Sequence, residues 1–168
     1  MNVSFVKEFN EIVLSDSGRK LKFTEEIIKM FESYRQVGKE PEAGGILIGR
    51  EDKNNGNLII EYATAPMEKD IRKRYRFYRK DEGHIEYYNK IYKENNGIYA
   101  YVGEWHTHPE NEPSPSLIDK NNWKKILNKK GEGELFNVIV GIKKIRIWKF
   151  YNRNKINLVG EKEVKVNE

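Results

Sequence analysis

A chain of 168 residues with 38% hydrophobic, 34% charged and 12% aromatic residues suffices for one globular domain, expected to span residues 1–168, and excludes wholesale disorder. No run approaches the roughly 18 apolar residues of a membrane span, and the absence of cysteine removes disulfides, thiolate metal sites and cysteine nucleophiles. The formal charge of +5 fits an acidic partner or simply a lysine-rich composition, and Met1 to Glu8 lacks the apolar core of a secretory signal, which makes the cytoplasm the expected compartment.

Residues 11–14 and 20–23 read as short strands around a Ser-Asp-Ser-Gly turn. Thr24 offers an N-cap, and Ile27, Met30, Phe31 and Tyr34 recur at the spacing of one helical face, predicting a helix that ends near Gly38 with this stripe in the core. Ile46 to Ile48, apolar without alternation between glycines, predicts a strand covered on both faces. Glu42 then lies at the mouth of a central strand, and Gly44-Gly45 suits either tight backbone packing or a direct role at the site. The turn cluster Asp52 to Gly56 leads to a returning strand from Leu58 to Ala65.

Lys69 to Lys80 holds seven basic residues and one acid, interleaved with Tyr75, Phe77 and Tyr78. Such a stretch suits either a surface that tracks nucleic acid or an edge strand guarded by cations, and the edge strand is preferred. A helix over 81–94 follows, with Ile85, Tyr88 and Tyr92 as its stripe, His84 as a surface or capping residue, and Asn95-Asn96-Gly97 as its stop. Residues 98–106 predict a strand with Tyr99, Tyr101, Gly103 and Trp105 on one face and Ala100, Val102, Glu104 and His106 on the other. A third helix is read over 116–128 with Trp123, Ile126 and Leu127 buried, then strands over 135–142, 145–151 and 155–159.

Two of the three histidines, His106 and His108, are one residue apart, and Asp119 follows eleven positions after His108. On a strand that runs far enough, the two imidazoles project the same way. With Asp119 they offer the nitrogen and oxygen donors of a catalytic zinc site with one position open. Ser116 to Asp119 is also a capping box for the third helix, and the two readings are compatible. A two-histidine, one-carboxylate set also suits a non-haem iron oxygenase, though that chemistry leaves Glu42 idle.

The order His106-x-His108-Pro109, seven residues from Pro109 through Pro115, then Ser116-x-x-Asp119, resembles the signature of the JAMM (MPN-plus, prokaryotic JAB) metalloproteases. Glu42-Ala43-Gly44-Gly45-Ile46-Leu47-Ile48-Gly49 resembles the segment carrying that family's catalytic glutamate. The resemblance implies a single α/β domain, a curved mixed sheet flanked by helices on both sides, similar to cytidine deaminases. It implies Zn2+ on His106, His108 and Asp119, Glu42 as the base that activates water, and Ser116 as an oxyanion partner. It implies hydrolysis of isopeptide or peptide bonds at the C-terminus of ubiquitin or a ubiquitin-like protein. Glu104 stands where many eukaryotic members carry an aromatic residue, and is either a rival base or a partner of a ligand imidazole.

The string Gly-Glu-Trp-His-Thr-His-Pro-Glu looks like the bacterial deconjugases of CBASS antiphage operons. The partners that this resemblance implies are the C-terminal tail of a CBASS cyclic-oligonucleotide synthase and its conjugates. A fused activating and conjugating enzyme acts there as antagonist, with no membrane partner. The acidic loop Glu110 to Glu112 and the basic stretch 69–80 are candidate substrate contacts, each also readable as plain surface. The competing classes are a non-catalytic MPN-type binding module and a nucleic-acid-binding protein built on the basic stretch.

Overall fold

The computed structural model describes residues 8–165; the amino-terminal stretch read above for a secretory signal falls, except for Glu8, outside them. Ten strands and three helices alternate in the order β1 (Phe9–Val13), β2 (Lys20–Thr24), α1 (Glu25–Ser33), β3 (Gly44–Glu51), β4 (Leu58–Ala63), β5 (Ile71–Lys73), β6 (Arg76–Tyr78), α2 (Gly83–Glu94), β7 (Ala100–Thr107), α3 (Leu117–Lys130), β8 (Glu134–Val140), β9 (Lys144–Tyr151) and β10 (Lys155–Glu163). Eight strands form one mixed sheet, β1-β2-β4-β3-β7-β8-β9-β10, in which β2–β4 and β7–β8 are parallel. The sheet curves until its ends approach: Ser15 N donates to Val159 O at 2.8 Å.

The curve encloses the main core. Phe31 of α1 meets Trp105 of β7 with ring centroids 5.1 Å apart, among Leu47, Ile60, Val138, Val140 and Ile147. The other face carries α3, whose Trp123 and Leu127 pack on Leu135, Ile139 and Phe150, and α2, whose Ile91 packs near Ile46, Ile48 and Tyr99. Helices therefore cover both faces, as the apolar runs of β3 and β8 require. Among the described residues no helix is long and apolar enough to cross a membrane.

Thr24 caps α1 by accepting Ile27 N at 3.3 Å, but the helix leaves its geometry at Tyr34, well before Gly38. Tertiary hydrogen bonds claim the next residues: Arg35 Nη1 donates to Ile142 O, and buried Gln36 donates to Glu40 O and Arg74 O. α2 buries His84 and Ile91 instead of the expected stripe, leaving Ile85 and Tyr92 exposed. His84 decides that rotation. Far from the surface, it hydrogen-bonds Thr64 Oγ1 at 2.5 Å and Asp70 Oδ2 at 2.6 Å.

Lys69 to Lys80 is not an edge of the main sheet. β5 and β6 pair only with each other, as a ribbon folded over the mouth of β3. Its cations satisfy specific acceptors: Arg72 reaches Glu42 O, Arg74 reaches Gly38 O, and Arg79 pairs with Glu104. The expected two faces of β7 hold only in part, because the pairing with β3 slips between Gly103 and Tyr101. The extra residue places Val102 in the same core as Trp105.

The glycine pair of β3 carries the packing expected of it. A Cβ on Gly44 would lie 2.5 Å from Phe77 Cδ1 and 2.6 Å from Trp105 O, and one on Gly45 would strike the Thr64 carbonyl. Gly45→Ala should therefore lower the unfolding free energy by roughly 1–3 kcal/mol. Urea denaturation reads this, and an unchanged midpoint would contradict the packing.

Candidate metal centre

β7 delivers both histidines. Its last residues, His106 and Thr107, pair in parallel with Ile139 and Val140 of β8, and His108 N continues the ladder by donating to Val140 O at 3.0 Å. The two imidazoles consequently point to the same place, with Nε2 atoms 3.0 Å apart. Asp119 arrives from the first turn of α3. Ser116 Oγ accepts Asp119 N at 3.1 Å, while Asp119 Oδ2 accepts Ser116 N at 2.8 Å. That reciprocal cap fixes the carboxylate, so that the same Oδ2 lies 3.2 Å from His106 Nε2 and 3.1 Å from His108 Nε2.

Three donor atoms 3.0–3.2 Å apart approximate one face of a ligand tetrahedron. Ligands about 2.0–2.1 Å from a central ion have edges of roughly 3.3 Å. Both histidines are buried and Asp119 is partly buried. The cluster fits zinc by donor type, spacing and burial.

Glu42 is held from three sides. Its N donates to Lys73 O at 2.8 Å, its carbonyl accepts Arg72 Nε at 2.9 Å, and the neighbouring Ala43 exchanges hydrogen bonds with Thr107. Thr107 Oγ1 in turn donates to Gln36 Oε1 at 2.8 Å. Glu42 Oε1 stands 3.8 Å from His108 Nε2. That is too long for a hydrogen bond, but close enough for one water to touch both the carboxylate and the ligand cluster.

Burial pushes the Glu42 carboxyl up to about 8, opposed by the His108 charge and reinforced by Asp119 and Glu110. For His108, burial favours the neutral ring, but the hydrogen bond and charge of Asp119, with Glu42 and Glu110, outweigh it and raise the ring to about 9. Asp119 feels the same burial, yet the two imidazoles hold its carboxyl well below the usual range.

Glu104 lines the same cleft as His106, a space of about 270 Å³ that also touches Phe77, Asp119, Trp123 and Ile126. It does not turn to the imidazoles. Oε1 pairs with Arg79 Nε at 2.7 Å, and the buried carboxyl has the Tyr101 hydroxyl as its other polar neighbour. Burial pushes this carboxyl up to about 7, against the pull of Arg79. Gln36 and Thr107 escape a reading of the sequence, because their roles depend on distant partners. Arg72 and Glu110 fell within stretches read as candidate substrate contacts, but Arg72 Nε donates to Glu42 O at 2.9 Å and the Glu110 carboxylate meets His108 Nδ1 at 2.7 Å.

Fold and centre together define a JAB-type α/β protein with a two-histidine, one-aspartate cluster. The family described as prokaryotic homologs of the JAB domain matches residues 27–151, and the chain belongs to it. A protein named CD-NTase/cGAS isopeptidase from Escherichia coli (strain TW11681) is 34% identical over 142 residues, 83% of this chain and 88% of that protein. Another so named, from Pseudomonas aeruginosa (strain BWHPSA011 / Pa011), is 34% identical over 116 residues, 68% of this chain and 72% of that protein. A solution structure of a Desulfitobacterium hafniense protein shares the fold, with a TM-score of 0.55 at 19% identity over 81% of this chain and 87% of that one.

Because a ligating His108 must be unprotonated, and both its ring and the neighbouring Glu42 carboxyl are pushed up, zinc added at pH 7 should release protons, and affinity should rise as the pH is raised towards 9. Calorimetry in buffers of different ionisation enthalpy counts the protons. Affinity independent of pH across this window would contradict the assignment of His108 as a ligand.

Proposed function

We propose that this protein is a zinc-dependent isopeptidase that hydrolyses the bond after the C-terminal residue of a conjugated protein. The tail belongs to a CBASS cyclic-oligonucleotide synthase or to a ubiquitin-like modifier, and the antagonist is the fused activating and conjugating enzyme. The carrying observation is the convergence of His106 Nε2, His108 Nε2 and Asp119 Oδ2 beside the buried carboxylate of Glu42. Membership of the JAB family and relatives named as isopeptidases support the same reading.

His106, His108 and Asp119 would hold the metal, which would supply Lewis acidity towards water and the scissile carbonyl. Glu42 takes the proton of the attacking water and returns it to the leaving amine. Its desolvated carboxylate is more basic than an ordinary glutamate, which suits that exchange. Ser116 Oγ accepts Asp119 N within the helix cap, so its own hydroxyl proton stays available for the oxyanion of the tetrahedral intermediate. Glu104, already committed to Arg79, anchors the β5–β6 ribbon to β7.

The test is a fusion of the synthase or modifier C-terminus to a reporter, incubated with and without chelator, with mass spectrometry locating the cut. Glu42→Gln should lose at least ~10²-fold in rate while keeping its zinc, the scale expected for a proton-transfer group. Full activity in Glu42→Gln with loss in Glu104→Gln would reverse the two roles. Zinc-loaded protein that cleaves no such fusion would remove the isopeptidase reading.

A further inference from the structure

The ligand cluster leaves one carboxylate unexplained. Glu110 follows the His108-Pro109 step, and its Oε1 lies 2.7 Å from His108 Nδ1, the ring nitrogen that faces away from the cluster. Its side chain is half exposed, so this is no core contact.

The backbone around it is pinned. Ile142 N donates to Glu110 O at 2.7 Å, and Lys143 N and Lys144 N both donate to Asn111 O. The loop after β7 is thereby stapled to the β8–β9 turn. Gly141 permits this close approach, since a Cβ there would lie 2.6 Å from Glu110 O and 2.5 Å from Pro113 Cδ. The next acid, Glu112, pairs with Lys144 at 3.1 Å instead and points to no ligand.

We propose that Glu110 is a positioning residue for the metal centre: it accepts the Nδ1 proton of His108 and so presents the Nε2 lone pair to the ion. The inference rests on the zinc reading given above. A neutral imidazole carries its proton on one nitrogen only, so a fixed acceptor at Nδ1 selects the tautomer that ligates through Nε2. The same hydrogen bond restricts rotation of the ring and makes Nε2 a stronger donor. No second carboxylate plays this part for His106 among the described hydrogen bonds, so Glu110 acts on one ligand of the three.

The experiment measures zinc affinity of the full chain by competition with a chelator, together with the Nδ1 proton resonance of His108 in the zinc-loaded protein. Glu110→Ala should weaken zinc binding roughly 10–100-fold, the range found for such outer partners of ligating histidines. The slowly exchanging Nδ1 proton signal should disappear with it. Glu110→Gln, which keeps an acceptor oxygen but not the charge, should restore the signal and part of the affinity. Glu112→Ala, which removes an equal charge from the same loop, should match the wild type. Affinity in Glu110→Ala within about twofold of wild type, or an equal loss in Glu112→Ala, overturns the proposal while leaving the isopeptidase reading intact. A wild-type chain that binds no zinc overturns both.

Discussion

The register between β3 and β7 is the constraint on which the centre depends. Gly44 pairs with His106, and the ladder continues past the end of β3 through Ala43 and Thr107. The next step places Glu42 opposite His108. A slip of one residue would turn Glu42 and both histidines to other faces. The bulge between Gly103 and Tyr101 sits before the ligands, so the strand changes face upstream and runs regularly where the chemistry is. Gly44 and Gly45 belong to the same constraint, because only residues without Cβ let β3 lie against Trp105, Phe77 and Thr64 at this register.

Around that register the chain builds a supporting layer of polar contacts. Gln36 ties α1's exit to Thr107 and to the β5–β6 ribbon. Arg72 and Lys73 clamp the backbone of Glu42 from the ribbon side, and Asp70 gathers Met67 N, Lys80 N and Asp81 N beneath it, with His84 on its other edge. Thr64, His84 and Asp70 resemble a nucleophilic triad in spacing, but with His84 and the Asp70 side chain fully buried the network fastens the ribbon and offers nothing to a substrate. Charge is distributed to match. The two imidazoles stabilise Asp119, while Glu42 is left desolvated and basic beside them.

Much of this was legible in the chain. The two histidines and Asp119 that come together, the glutamate beside them, the capping box and the apolar runs of β3 and β8 are local patterns of residue type and spacing, and each reads without knowledge of its neighbours. The misreadings have a common origin. α1 was expected to run to Gly38, but Gln36 is needed as a buried bridge; the stripe of α2 was read one position late, because His84 is drawn inwards by Asp70; the basic stretch was placed at an edge, when its arginines serve carbonyls and Glu104. In each case a polar residue is held by a partner distant in sequence, buried for Gln36 and His84 and nearer the surface for the arginines, and periodicity alone cannot see such partners.

The sequence by itself determined which side chains could meet at a centre, two histidines, an aspartate and a glutamate at telling spacings, and the kind of fold, because donor chemistry and secondary-structure periodicity depend on residue type at short range. Only the tertiary structure decided that Glu104 belongs to Arg79 and Glu42 to the ligand cluster, and that Glu110 stands behind His108. Those assignments follow from hydrogen bonds between segments 25 to 64 residues apart and from the pinning of a half-exposed loop to the β8–β9 turn. A carboxylate's role is set by the groups within its direct reach, and that reach is fixed by strand register and by the loops pinned to it.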